Sequence, residues 1–160
     1  MSHHSLETVG ATTNGVFGTL VKQHAEAAAL LSQLKQTSDA SSRLQQWAKL
    51  RLELLSHEKS EIRILYPELR GIESTRDISD AHDEEAQTLE ATIHQLDKLD
   101  TASSEWTAKL ETLGRLLQKH VQEEEGEFFP RALAALGEDE AQKLDARIIA
   151  EKTSVMGELA

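Results

Sequence analysis

The chain has 160 residues, 39% hydrophobic and 28% charged, a length and balance that suit one domain with a full apolar core. Its formal net charge of -11 would repel a phosphate backbone or an anionic membrane surface, so neither nucleic acid nor membrane is an expected partner. It has no Cys, which excludes disulfides, thiolate ligands and thiol redox chemistry and leaves only N and O donors for any metal.

Residues 1–13 are polar and lack a basic stretch followed by an apolar one, so they read as a flexible leader rather than a secretory signal. His3 and His4 fall in this leader and are given no role. A cytoplasmic protein is expected. From residue 14 onward, scarce Pro and Gly and abundant Ala, Leu, Glu, Gln and Lys favour helix.

A first helix is expected from about Asn14 to Leu34, with Val16, Leu20, Ala27, Ala28 and Leu31 on its apolar face and His24 in the gap of that stripe. A second runs from about Ser41 to Leu65, with the stripe Leu44, Trp47, Leu50, Leu54, His57, Glu61 and Ile64. Tyr66-Pro67 should end it, since a residue before Pro is disfavoured in the α region. Gly71 opens a polar loop to Asp77.

A third helix follows from about Ile78 to Leu99, facing inward with Ile78, His82, Ala86, Leu89, Ile93 and Leu96. After a loop with Ser103 or Ser104 as N-cap, a fourth runs from about Glu105 to Phe129, with the stripe Trp106, Leu110, Leu113, Leu117, His120, Glu124 and Phe128. Pro130 should end or kink it, with Arg131 to Leu136 a further helical turn. A last amphipathic helix spans about Glu138 to Met156, with Ala141, Leu144, Ile148 and Ile149 inward. The expectation is an all-α fold: an up-down-up-down four-helix bundle with an additional C-terminal helix, spanning residues 14–160.

One pattern occurs twice: a lone His, then a His four residues before a Glu. The copies are His24 with His57 and Glu61, and His82 with His120 and Glu124. A step of four places His and Glu on one helix face, a turn apart. Each of the six falls on the apolar stripe of its helix, where a polar group is costly unless something binds it. In an antiparallel bundle the four His converge at one end, and each Glu can reach across two ions. Imidazole with carboxylate suits first-row metals such as Fe, Mn or Zn. The repeat extends to a Trp early in each second helix (Trp47, Trp106) and an aromatic before each Pro (Tyr66, Phe129).

Neighbouring residues are read as surface or core. His94, twelve residues after His82, points about 120° away and reads as exposed. Glu58 and Glu125 lie off the stripes and read as solvated, each within reach to serve as an extra carboxylate. Trp47, Trp106 and Phe128 read as core, and Tyr66 is a candidate hydrogen-bond donor near the site.

The pattern H…HxxxE…H…HxxxE resembles the hemerythrin-like, or HHE cation-binding, domain, with HEKSEIRILYPEL (from His57) and HVQEEEGEFFPRAL (from His120) similar to its two signature segments. The resemblance covers about Asn14 to Leu133 and implies a non-haem di-iron centre in a four-helix bundle. It implies that His24 and His57 bind one iron and His82 and His120 the other. Glu61 and Glu124 would bridge them, together with an oxo or hydroxo group. Oxygen-carrying members have a further His where this chain has Ala86, and an Asp five residues after the last His where this chain has Glu124 at four and Glu125 at five. The iron near His82 and His120 is therefore expected to lack a protein ligand.

The implied function is binding of a small ligand (O2, NO or peroxide) at that centre, by a monomer or homodimer. A di-iron peroxidase or oxidase, and an iron-sensing or buffering protein, are the alternatives.

Overall fold

The computed structural model describes residues 15–159, so the 1–13 leader and Asn14 lie outside the described residues. The described chain is all-helical, with no strand. Its elements are α1 (Gly15–Lys35), α2 (Ala40–Ser60), α3 (Tyr66–Arg70), α4 (Arg76–Asp97), α5 (Ser104–Glu123), α6 (Phe129–Leu136) and α7 (Glu138–Leu159). Asp39 caps α2 by accepting from the Ser42 amide, and Ser103 caps α5 by accepting from Trp106. Gly137, at φ 85°, ends α6 and turns the chain into α7.

The two prolines do not end their helices. A π-helical turn, Glu61–Leu65, joins α2 directly to α3, and a second, Glu124–Phe128, joins α5 to α6. Tyr66 keeps right-handed helical angles, and its amide reaches back five residues to the Glu61 carbonyl. Phe129 does the same toward Glu124. The wider turn absorbs one extra residue ahead of each proline, so the ring enters at the start of a new α segment, where its missing N–H costs little.

Helix α7 packs along both α1 and α2, while α4 packs on α5 and on α3. Arg70 ties α3 to α4 through Asp80 and Asp83, at 2.7 and 2.6 Å. Two apolar clusters form. One gathers Phe17, Leu20, Leu65, Leu69, Phe128, Phe129 and Ile148. The other gathers Leu34, Trp47, Leu50, Leu54, Ile93, Trp106 and Leu113, with the two Trp rings edge to face. Each large side chain buried this way stabilises the fold by about 1.5–3 kcal/mol.

Three positions expected on inward stripes face outward instead. Leu44 is 60% exposed and Ile149 48%, and Ala28 is exposed as well. Leu44 lies in the first turns of α2. On α7 the seam is carried by Ala141, Leu144, Ile148 and Val155, and Ile149 lies one residue off it.

Candidate metal centre

The site lies between the two apolar clusters. On α1, His24 falls between Leu20 of one cluster and Leu34 of the other, and on the second helix His57 and Glu61 fall between Leu54 and Leu65. His24, His57, Glu61, His82, His120 and Glu124 are all buried, with both Glu fully so. His94, by contrast, is exposed as its spacing requires, with 53% of its side chain accessible.

The ligand-capable atoms converge. His24, His57, Glu61 and Glu124 form one group, in which one atom from each lies within 4.8 Å of the others. His82, His120 and Glu124 form a second, and Glu58, Glu61 and His120 a third. Glu61 and Glu124 thus each belong to the His24–His57 side and to the His120 side. His24 Nε2, His57 Nε2, His120 Nε2, Glu58 Oε2, Glu61 Oε1 and Glu124 Oε1 are buried without a hydrogen-bond partner. His57 Nε2 and Glu61 Oε1 come within 2.7 Å but are not aimed at one another. Buried donors and acceptors left in this state cost several kcal/mol in all, so the cluster fits a cation that would satisfy them together.

The outer ring nitrogens are anchored. His24 Nδ1 pairs with Glu125 at 2.7 Å, His57 Nδ1 with Gln23 at 2.7 Å, and His120 Nδ1 with Glu85 at 2.8 Å. An acceptor at Nδ1 fixes the proton there and leaves Nε2 as a lone pair aimed inward, the tautomer a metal needs. The His82 ring is instead held by stacking on Phe128 at 4.5 Å, and the His24 ring lies parallel to Phe129 at 5.8 Å.

One residue, Glu58, differs from the sequence reading, and another, Tyr66, takes the donor role expected of it. Glu58 is not on the surface: it is 1% exposed, with Oε2 3.6 Å from His120 Nε2. It occupies the side of the cluster where a protein ligand was expected to be missing. The stripe rule failed because α2 is covered on more than one side, by α1, α4 and α7. Tyr66 is fully buried, and its hydroxyl donates toward Glu61 Oε2 at 3.2 Å and Glu124 Oε2 at 3.4 Å. Glu85, Gln23 and Glu125 were not singled out as ring anchors. Their only sequence signal is that each lies within three residues of a cluster residue.

Charge is balanced unevenly across the metal-free cluster. Burial pushes Glu124 well up, and the Glu61 carboxylate beside it adds to the effect. Burial also opposes ionisation of Glu61, but the charges of the nearby His57 and His120 rings outweigh it and hold Glu61 below its usual range. Burial raises Glu58 to about 7. At His120 burial acts downward, and Glu58 with Glu85 reverses this to about 9. Burial lowers His24 and His82, which therefore stay neutral. Burial and the two carboxylates raise Tyr66 well above the ordinary phenol value, so it remains a donor.

A helical protein with buried His and Glu gathered in this way has the donor set of a cation-binding domain. The hemerythrin HHE cation-binding domain model matches residues 16–132, and the chain belongs to that family. A curated relative, a DNA nickase from Nostoc sp. (strain PCC 7120), is 20% identical over 136 residues. That alignment covers 85% of this chain but 38% of the relative, so the chain spans well under half of that protein. No solved structure matches the chain. Among the described residues, no helix is long and apolar enough to cross a membrane.

Proposed function

We propose that the chain is a non-haem di-iron protein that binds a small oxidant (O2, NO or peroxide) within an up-down-up-down four-helix bundle carrying a C-terminal helix. The observation that carries this reading is that Glu61 and Glu124 are each shared between the His24–His57 and His120 sides of one buried cluster. In this reading His24, His57, Glu61 and Glu124 hold one iron. His82, His120, Glu58, Glu61 and Glu124 hold the other. The His24–His57 side then has fewer protein donors and borders a groove between α1 and α5, while a smaller groove between α4 and α5 reaches His120.

When bound, a pair of irons supplies reversible one- and two-electron chemistry toward a diatomic or a peroxide. The chain's own residues set the conditions. Gln23, Glu85 and Glu125 fix the imidazole tautomers, and Tyr66 holds the outer oxygens of both shared carboxylates. Phe128 and Phe129 cover the cluster on one side and limit water there. We place the domain at residues 14–160, as a cytoplasmic monomer or homodimer.

The test is elemental analysis with an absorption spectrum of the reduced protein before and after air. About two irons per chain with near-ultraviolet bands characteristic of bridged ferric pairs would support the reading. Zinc alone, or no metal, would overturn it. A reversible visible band with O2 favours ligand binding, whereas steady consumption of peroxide favours the peroxidase or oxidase reading. Collapse of the fold on metal removal favours iron sensing or buffering. DNA nicking, suggested by the name of the longer relative, has less support, because a net charge of -11 opposes a phosphate backbone.

A further inference from the structure

The groove between α1 and α5 is larger than a diatomic ligand needs. Its volume is about 510 Å³, whereas a molecule the size of water takes on the order of 30 Å³. Cavities of about 300–1,000 Å³ hold organic ligands of tens of atoms. The groove follows α1 from Gln23 and His24 to Lys35, about 16 Å from His24 to Lys35 along the helix and the reach of roughly twelve methylenes. Its walls are mainly apolar or small, including Ala27, Leu31, Leu54, Leu117 and Val121.

The two ends differ in charge. The inner end is floored by His24, His57 and Glu58, with the Glu58 Oε2 buried and unpartnered. Glu61 and Glu124 lie immediately behind. Lys35 stands at the outer end and, among the described residues, is the one Lys or Arg that lines the groove. Its ammonium pairs only loosely with Glu111, at 3.7 Å between exposed groups, a contact of little energy. Gly114 keeps the groove open beneath it: a side chain there would start 3.0 Å from Lys35 Nζ and 3.5 Å from Leu31 Cδ2.

We infer that this groove binds a free long-chain monocarboxylate, with its carboxylate on Lys35 and its terminal methyl against the His24–His57–Glu58 floor. Apolar walls take the chain and the Lys35 ammonium takes the anion, while the inner donors His24, His57 and Glu58 face one another across the cluster. The inference rests on the di-metal reading only for what lies at the inner end.

Laurate binding to the full chain, followed by calorimetry, tests the groove, with elemental analysis of the same samples testing the metal reading separately. Saturable binding at one site per chain is expected. Gly114→Leu should weaken it at least tenfold while metal content and helicity stay unchanged. Lys35→Glu, at an exposed position, should weaken laurate at least tenfold and leave neutral dodecanol unaffected. In the Mn(II)-loaded protein, the terminal methyl of bound laurate should be broadened far more than the methylene next to its carboxylate. Absence of saturable binding, or binding indifferent to Gly114→Leu, would overturn the inference even with metal present. Laurate affinity unchanged by Lys35→Glu, or stronger broadening at the carboxylate end, would overturn the assigned orientation. Laurate binding without any metal would sink the di-iron reading and leave the groove.

Discussion

The Tyr66 hydroxyl reaches Glu61 Oε2 at 3.2 Å although the two residues are five apart in sequence. In an uninterrupted α-helix a step of five points about 140° away. The π-helical turn Glu61–Leu65 widens the coil by one residue, so Tyr66 comes to lie over Glu61 rather than beside it. The equivalent turn in the second half brings Phe129 over the His24 ring. One backbone device thus serves both halves, but only the first half supplies a hydroxyl.

Tyr66→Phe tests that hydroxyl. It leaves the outer oxygens of Glu61 and Glu124 without their shared donor while keeping the ring's packing. Helicity should be unchanged and iron affinity should fall about tenfold, the lower end for loss of a group that orients metal ligands. Competition with a chelator measures this, and equal affinities would remove Tyr66 from the site.

Glu58→Gln removes a charge from the His120 side and changes little else in volume. Metal content should drop from about two ions per chain to about one, because the His24–His57 group is untouched. Retention of both ions would return Glu58 to the role of a buried bystander.

Metal affinity should rise with pH. In the metal-free protein His120 is raised to about 9 and Glu58 to about 7, and each must lose its proton to bind an ion. Below pH 7 both hold protons, and from 7 to 9 His120 still does, while Glu124, which burial also pushes well up, adds a further proton to displace. Affinity should therefore climb by at least about tenfold per pH unit up to 9, and more steeply below 7. Titration at several pH values, with released protons counted by calorimetry in two buffers, gives the answer. An affinity independent of pH would mean that these groups are not displaced.

Removing metal should destabilise the fold, since several buried polar atoms then lose their common partner. At a thousandfold excess over Kd, binding contributes about 4 kcal/mol, or on the order of 10 °C in Tm for a domain of this size. Thermal melts with and without chelator measure the difference. An unchanged Tm would also argue against iron sensing through folding.

Much of this was readable from the sequence for identifiable reasons. His24, His57, Glu61, His82, His120 and Glu124 sit at helical spacing on inward stripes, and the period survives folding unchanged. Ser103, a side-chain acceptor three residues ahead of its target amide, behaved as an N-cap should. Glu58 was misplaced because a stripe presumes one buried face, while Ser56, His57, Glu58, Ser60 and Glu61 are all buried on a helix enclosed from several sides. The helix end at Pro67 was misread for a different reason, whereas the further helical turn expected after Pro130 is present in α6. A proline signals a break only in a regular α ladder, and a π turn provides another way through.

The ring anchors have one more consequence. Gln23 on α1 holds His57 on α2, Glu85 on α4 holds His120 on α5, and Glu125, just after α5, crosses to His24 on α1. The first half of the repeat therefore borrows from the second both a ring anchor and the shared Glu124. The doubled pattern in the sequence suggests two interchangeable copies, but neither hairpin carries a complete donor set. Each is half of a single lock, and a substitution in one half is transmitted to the other across the carboxylates they share.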